Sequence, residues 1–150
     1  MKAIKTLTLL MGLCAVVLFV VGCDKKEGIE IPFTEYSLIE ISCEWTRFDH
    51  DDEITIIRNS TDLKKYITCS DTDFPEIDFS KWTLLCASGG TIKGIQSIEK
   101  RLYQISNKRY NLYIDIVLDL TDVAQPWSVL IKVPRLPQNA IVYLIKKQHH

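Results

Sequence analysis

Tyr110-Asn111-Leu112-Tyr113-Ile114-Asp115-Ile116-Val117-Leu118-Asp119-Leu120 is the stretch on which the fold turns. Tyr110, Leu112, Ile114, Ile116 and Leu118 occupy alternate positions. A strand puts successive side chains on opposite faces, so this period of two predicts a strand with one apolar face and one mixed face. Just upstream, Asn107-Lys108 carries hairpin chemistry and joins it to a weaker strand over residues 95–105.

Further upstream, residues 82–88 form an almost continuous apolar run, Trp-Thr-Leu-Leu-Cys-Ala-Ser, which predicts a central strand buried on both faces. Gly89-Gly90 is expected to end it with a turn or a bulge. Ile39, Ile41, Cys43 and Trp45 alternate with Glu40, Ser42 and Glu44, so residues 38–45 read as a half-buried strand. Residues 54–57 make a short second strand. Ser60 is the expected cap of a helix beginning at Thr61, with Leu63, Tyr66 and Ile67 at helical spacing. Residues 74–80 form an extended connection, because Pro75 biases its predecessor away from helix. Downstream, residues 128–133 and 141–145 read as strands punctuated by Pro134 and Pro137. The sum is an α+β domain over residues 37–147, with a largely antiparallel sheet of about seven strands and one short helix.

At 150 residues, 47% hydrophobic and 25% charged, the chain fits one compact domain and is neither disordered nor low-complexity. Its formal charge of −1 implies no basic face, and nucleic acid is not an expected partner.

The N-terminus carries a separate message. Lys2 and Lys5 precede residues 6–21, which hold no charge, and Val20-Val21-Gly22-Cys23 closes the run. A basic start followed by an apolar segment is the pattern of an export signal. The alternative, a retained membrane helix, needs roughly 20 apolar residues, more than this run supplies. The closing residues resemble the lipobox of bacterial lipoproteins. That resemblance implies a signal peptide over residues 1–22, cleavage before Cys23, a diacylglyceryl group on its sulfur and further acylation such as palmitate on the new amino terminus. Two or more acyl chains anchor stably. The expected place is the cell envelope, on the inner or outer membrane, with the domain outside the cytoplasm. Residues 23–36 are then the lipidated cysteine and a tether, in which Asp24 to Glu27 serves as a spacer or a sorting signal.

Five cysteines divide into Cys14 in the signal, Cys23 as lipid site, and three in the domain. An exported domain meets an oxidising compartment. Cys86 lies within the apolar run and reads as a small buried hydrophobe. Cys43 and Cys69 are therefore the expected disulfide, closing a loop of about 27 residues for roughly 3 kcal/mol in the chain-entropy model. A catalytic thiol would need a base, and the chain offers only His50, His149 and His150, the last two at a terminus expected to fray.

Other constellations are weighed against plainer readings. Asp49-His50-Asp51-Asp52-Glu53 is rich in oxygen donors, yet lacks EF-hand spacing and a glycine to bend it, so a solvated loop is expected and no metal site. Asp115 and Asp119 share one strand face about 13 Å apart, beyond the usual separation of a glycosidase pair. Gly89, Gly90 and Gly94 fit no phosphate loop, and no Ser-His-Asp set or zinc spacing appears. No catalytic residue and no cofactor are implied. Trp45 and Trp82 read as core. Trp127, behind Pro126 at a strand entrance, is the candidate for ligand or glycan stacking, and the loops around Gly89, Gly90 and Trp127 are the candidate contact surface for a partner.

A helix, then Ile77-Asp78-Phe79-Ser80-Lys81, then an apolar strand ending in Gly89, a hairpin, and a strand leading into Val133-Pro134-Arg135-Leu136-Pro137 follow one another in residues 54–145. This order resembles the PrcB-type C-terminal domains, named for a protease-complex subunit, and related lipoproteins. The resemblance implies a non-catalytic domain that binds and stabilises another envelope protein such as a protease. One departure stands: family members often carry an aromatic after the glycine pair, where this chain has Thr91 and Ile92.

Overall fold

The computed structural model describes residues 28–37, 42–45, 52–70, 74 and 76–150. Ten strands and one helix are seen among them: β1 (Ile29–Glu30), β2 (Thr34–Glu35), β3 (Cys43–Trp45), β4 (Ile54–Ile57), α1 (Ser60–Leu63), β5 (Ile67–Cys69), β6 (Trp82–Thr91), β7 (Ile95–Ser106), β8 (Arg109–Leu118), β9 (Gln125–Pro134) and β10 (Ile141–His149). They form one four-stranded sheet in the order β1-β7-β8-β10, a second in the order β2-β9-β6-β4, and a small ribbon β3-β5. The domain is mostly β, a correction to the expected α+β class with a single sheet of about seven strands.

The alternation in β8 is realised as read. Tyr110, Leu112, Ile114, Ile116 and Leu118 are buried and meet Trp127, Val129, Ile131 and Val133 from β9 in one core between the sheets. Each such side chain contributes about 1.5–3 kcal/mol by leaving water. Strand β6 is buried on both faces because two cores share it. Leu85 and Ala87 enter the main core, while Leu84 packs with Cys43, Ile57, Leu63 and Ile67 in a satellite cluster on the other side.

Pairing is antiparallel except between β10 and β8, which run parallel. The reason lies in the path: β9 carries the chain back along the length of the other sheet, so β10 starts at the end where β8 starts, and two strands started at the same end are parallel. One end of the molecule, the base, therefore holds the β7–β8 hairpin and the entry of β1. The opposite end, the tip, holds the β6–β7 and β8–β9 connections.

Several boundaries differ from expectation. Residues 29–36, expected in the tether, belong to the domain: β1 pairs with Tyr103 and Gln104, β2 pairs with Ile131 and Lys132, and Ile31 and Phe33 pack on the core. Two-residue strands have too few positions for alternation to register. The helix is one turn, capped by Asn59 rather than Ser60, with the Asp62 N–H donating to Asn59 Oδ1 at 2.8 Å. Ile67 leaves it for β5, where it faces Trp45. Gly89 and Gly90 do not end β6. They lie inside it, opposite Trp127 and Pro126. His149 is held in β10 opposite Val117 instead of fraying. Residues 38–41 of the first expected strand lie outside the described residues, as do residues 1–27 with Cys14 and Cys23.

Both lateral margins of the sandwich are closed alike. Lys100 of β7 and Lys146 of β10 take inward-facing positions in the first sheet, in step with buried Leu102 and Val142. Each ammonium meets a carboxylate from the facing sheet: Lys100 pairs with Glu35 on β2, and Lys146 pairs with Asp52 just ahead of β4. An inward-pointing charge makes a strand edge costly to extend with another strand.

Candidate functional site

The loops of the tip are tied to one another by several bonds. In the β6–β7 connection, Gly94 N–H donates to Thr121 O at 3.2 Å, and Asp119 N–H donates to Gly94 O at 2.9 Å. The Asp119 carboxylate accepts the Thr121 N–H at 2.7 Å, and bonds from the Thr121 hydroxyl and amide hold its pKa below the usual carboxylate range. A Cβ on Gly94 would run into that carboxylate, so the close approach of the two loops requires glycine. Ile95 N–H donates to Gln125 Oε1 at 3.0 Å, and Lys93 Nζ lies 3.1 Å from Asp122. From these fixed loops Ile92, Leu120 and Val123 project into solvent, 81%, 91% and 62% exposed.

Behind the tip lie the residues singled out for ligand contact, and their arrangement is a packing device. Trp127 is 4% exposed and part of the main core, with no hydrogen-bond partner for Nε1 among the described residues. Its ring covers Gly89 across the β6–β9 pair. A Cβ there would run into the Asp52 carboxylate and sit 2.7 Å from Cζ2 and 2.9 Å from Cε2 of the indole. Glycine in β6 thus makes room for the tryptophan, a strand use of the residue that resembles a turn in sequence. The stacking platform expected at Trp127 is excluded by this burial. The geometry of a strand entrance signalled the wrong side of the sheet.

A cleft of about 600 Å³ opens beside β9, lined by Tyr36, Trp45, Val129 and Leu130, with Glu35, Glu44 and Lys100 at its polar margin. Its size is in the range of ligand sites. Burial pushes the Tyr36 hydroxyl up, keeping it neutral, and Lys100 is committed to Glu35.

The Cys43–Cys69 disulfide is present and links directly opposed residues of β3 and β5. Cys86 is a free thiol in β6, and burial pushes its pKa up to about 12. A thiol so protonated is a poor nucleophile. Asp115 meets His149 Nδ1 at 3.0 Å rather than acting with Asp119, which is spent on the tip. Of the acidic run, residues 49–51 lie outside the described residues, and Asp52 is paired with Lys146. Among the described residues, no group of three His, Cys, Asp or Glu side chains is placed to hold a metal ion, and no helix is long and apolar enough to cross a membrane.

No protein family, curated protein or solved structure matches this chain.

Proposed function

We propose that the chain is a bacterial lipoprotein, cut before Cys23 and lipidated there, whose domain is a non-catalytic module that binds another envelope protein. A protease is the partner that the PrcB-type resemblance implies. The export segment and lipobox-like residues support the anchor. The observation that carries the interaction role is the opposition of the two ends. The chain enters at the base, and the fixed loops bearing Ile92, Leu120 and Val123 stand at the tip, about 40 Å away along the 12 residues of β7.

Exposed apolar side chains gathered at one end of a molecule mark contact sites, where single scattered ones do not. The lateral margins are poor rivals, since Lys100 and Lys146 guard them. Two carboxylates, Asp119 and Asp122, stand against one ammonium, Lys93, at the tip, so a partner with an apolar recess and basic rim is the fitting one.

The test has two arms. Intact-mass measurement of protein from native membranes should give residues 23–150 plus acyl chains. A photoreactive residue at position 120 should give a defined protein adduct in cells, reduced at least tenfold by Ile92→Asp. A full-length mass without lipid sinks the anchor, and an adduct unaffected by Ile92→Asp sinks the tip as the contact.

The cleft beside β9 favours a second reading, a small-ligand or glycan site built on Trp45 instead of Trp127. That reading requires the fluorescence of a Trp82→Phe, Trp127→Phe variant to shift on titration with sugars. An unmoved spectrum removes it.

A further inference from the structure

We infer that the base of the domain is itself a lipid-docking surface, which seats the molecule on anionic headgroups and holds the tip away from the membrane. This rests on the lipid anchor proposed above.

Three observations converge on the base. The described chain begins at the base, where Gly28 and Ile29 lie against Gln104 and Ile105, so Gly28 is the point at which a tether from Cys23 would join the domain. Between Cys23 and Gly28 an extended chain spans at most about 18 Å. A lipid on Cys23 therefore keeps the base near the headgroups whatever the tether does.

The second observation is apolar. Ile29, Ile105 and Ile141 are exposed, the first by 70%. They are spread across one end of the sheet: Ile29 on edge strand β1 pairs with Gln104, Ile105 precedes the β7–β8 hairpin, and Ile141 on the opposite edge strand β10 pairs with Arg109 and donates its N–H to Lys108 O at 2.8 Å.

The third is charge. Lys108 lies in the hairpin turn and Arg109 opens β8, both exposed, and with Asn139 they line a shallow depression of about 570 Å³. Arg135 joins them from the facing sheet, its Nη1 donating to Ser80 O at 3.2 Å. Glu30 is the carboxylate of the adjoining strand, while Asp78 is held by Lys81 at 3.0 Å. The base thus carries cations among aliphatic side chains, where the tip carries carboxylates among aliphatic side chains. Cations beside exposed isoleucines suit phosphate headgroups over acyl chains, and attraction of this kind acts within a Debye length, about 8–10 Å. A soluble anion would engage the charges and leave the isoleucines in water, so the lipid surface is the occupant that uses both.

The experiment uses the full lipidated chain carrying one environment-sensitive fluorophore on Asn107→Cys at the base or on Asp122→Cys at the tip, the buried Cys86 thiol being left unlabelled. Vesicles of phosphatidylethanolamine with phosphatidylglycerol, 3:1, are compared with vesicles of phosphatidylcholine alone. The base label should shift to the blue in the anionic vesicles and become at least fivefold less accessible to an aqueous quencher. The tip label should match its value in solution. K108E with R109E, both on exposed side chains, should return the base label to solution values, and Ser106→Cys provides a second base position should the turn not tolerate a label at 107. A lipidated, vesicle-bound chain whose base labels remain fully quenchable overturns this inference and leaves the anchor intact. A chain that carries no lipid and does not bind vesicles overturns the anchor itself. A tip label that enters the lipid reverses the orientation and overturns both the docking and the partner surface.

Discussion

The main core and the satellite cluster reach burial by opposite routes. Between the two sheets, strands of 10 to 12 residues bring Leu102, Leu112, Ile114, Ile116, Ile131 and Val133 together at negligible exposure. On the outer face of β6, strands of three and four residues and a helix of four gather Cys43, Ile57, Leu63 and Ile67 around Leu84. Long strands fix their own register through many paired residues, and short ones do not. The Cys43–Cys69 bond supplies to the ribbon what the sandwich obtains from length, which is why the disulfide lies there.

The largest expected effect lies in the main core. Ile116→Ala should lower the free energy of unfolding by about 4 kcal/mol, within the usual range for a buried truncation, because a cavity between two long sheets collapses poorly. Urea unfolding followed by tryptophan fluorescence measures it, and a loss below 1 kcal/mol would mean the sandwich is no tighter than its satellite.

Next comes the bridge. Cys43→Ser with Cys69→Ser should remove roughly 3 kcal/mol. Hydrogen exchange should rise in β3, β5 and α1 while the amides of β7 and β8 remain protected. Equal exchange across all five elements would make the two regions one cooperative unit and erase the distinction.

Smaller again is the cap of the helix. Asn59→Ala should cost about 1 kcal/mol, and its effect on exchange should be confined to the satellite. A mutant indistinguishable from wild type by denaturation and exchange would show that the single turn is held by Leu63 alone.

Lys100→Met and Lys146→Met probe the margins of the main sandwich. Partly exposed pairs of this kind contribute about 0–1 kcal/mol, so stability should scarcely change. Self-association, read by sedimentation, should rise as the guarded edges open to pairing. Monomers at every concentration would show that the lysines guard nothing.

The smallest effect at neutral pH belongs to Cys86 on β6, the strand both regions share. Cys86 has a folded pKa of about 12 against an ordinary value of 9.0. The unfolded thiol ionises first, so stability is fully present below pH 9 and declines as pH rises from 9 towards 12. Alkylation at pH 8 should proceed only on unfolding. Rapid alkylation of the native chain would mean that the cover on β6 opens readily.

Much of this was legible in residue order. The alternation from Tyr110 to Leu118, the hairpin at Asn107-Lys108 and the double burial of β6 follow from side-chain period and composition, which are local quantities. Cys43 and Cys69 were identifiable because Cys86 sat inside a run too apolar to spare it. Gly89 misled because glycine serves both a turn and a close approach, and only the Asp52 carboxylate and the Trp127 ring closing over it distinguish them. Ile67 misled because its spacing from Leu63 suits a helix, whereas the bridge beside it draws residues 67–69 into a ribbon.

By itself, then, the sequence determined where the long strands β6 to β10 run, which of their faces are apolar and which cysteines pair, since these depend on neighbours one to four places away or on simple counting. Tertiary structure alone decided that the strands divide between two sheets, that β10 runs parallel to β8, that Trp127 is interior, and that Lys100 and Lys146 close opposite margins. Those outcomes depend on where distant segments meet, and a chain's local pattern is the same whichever partner its apolar face finds.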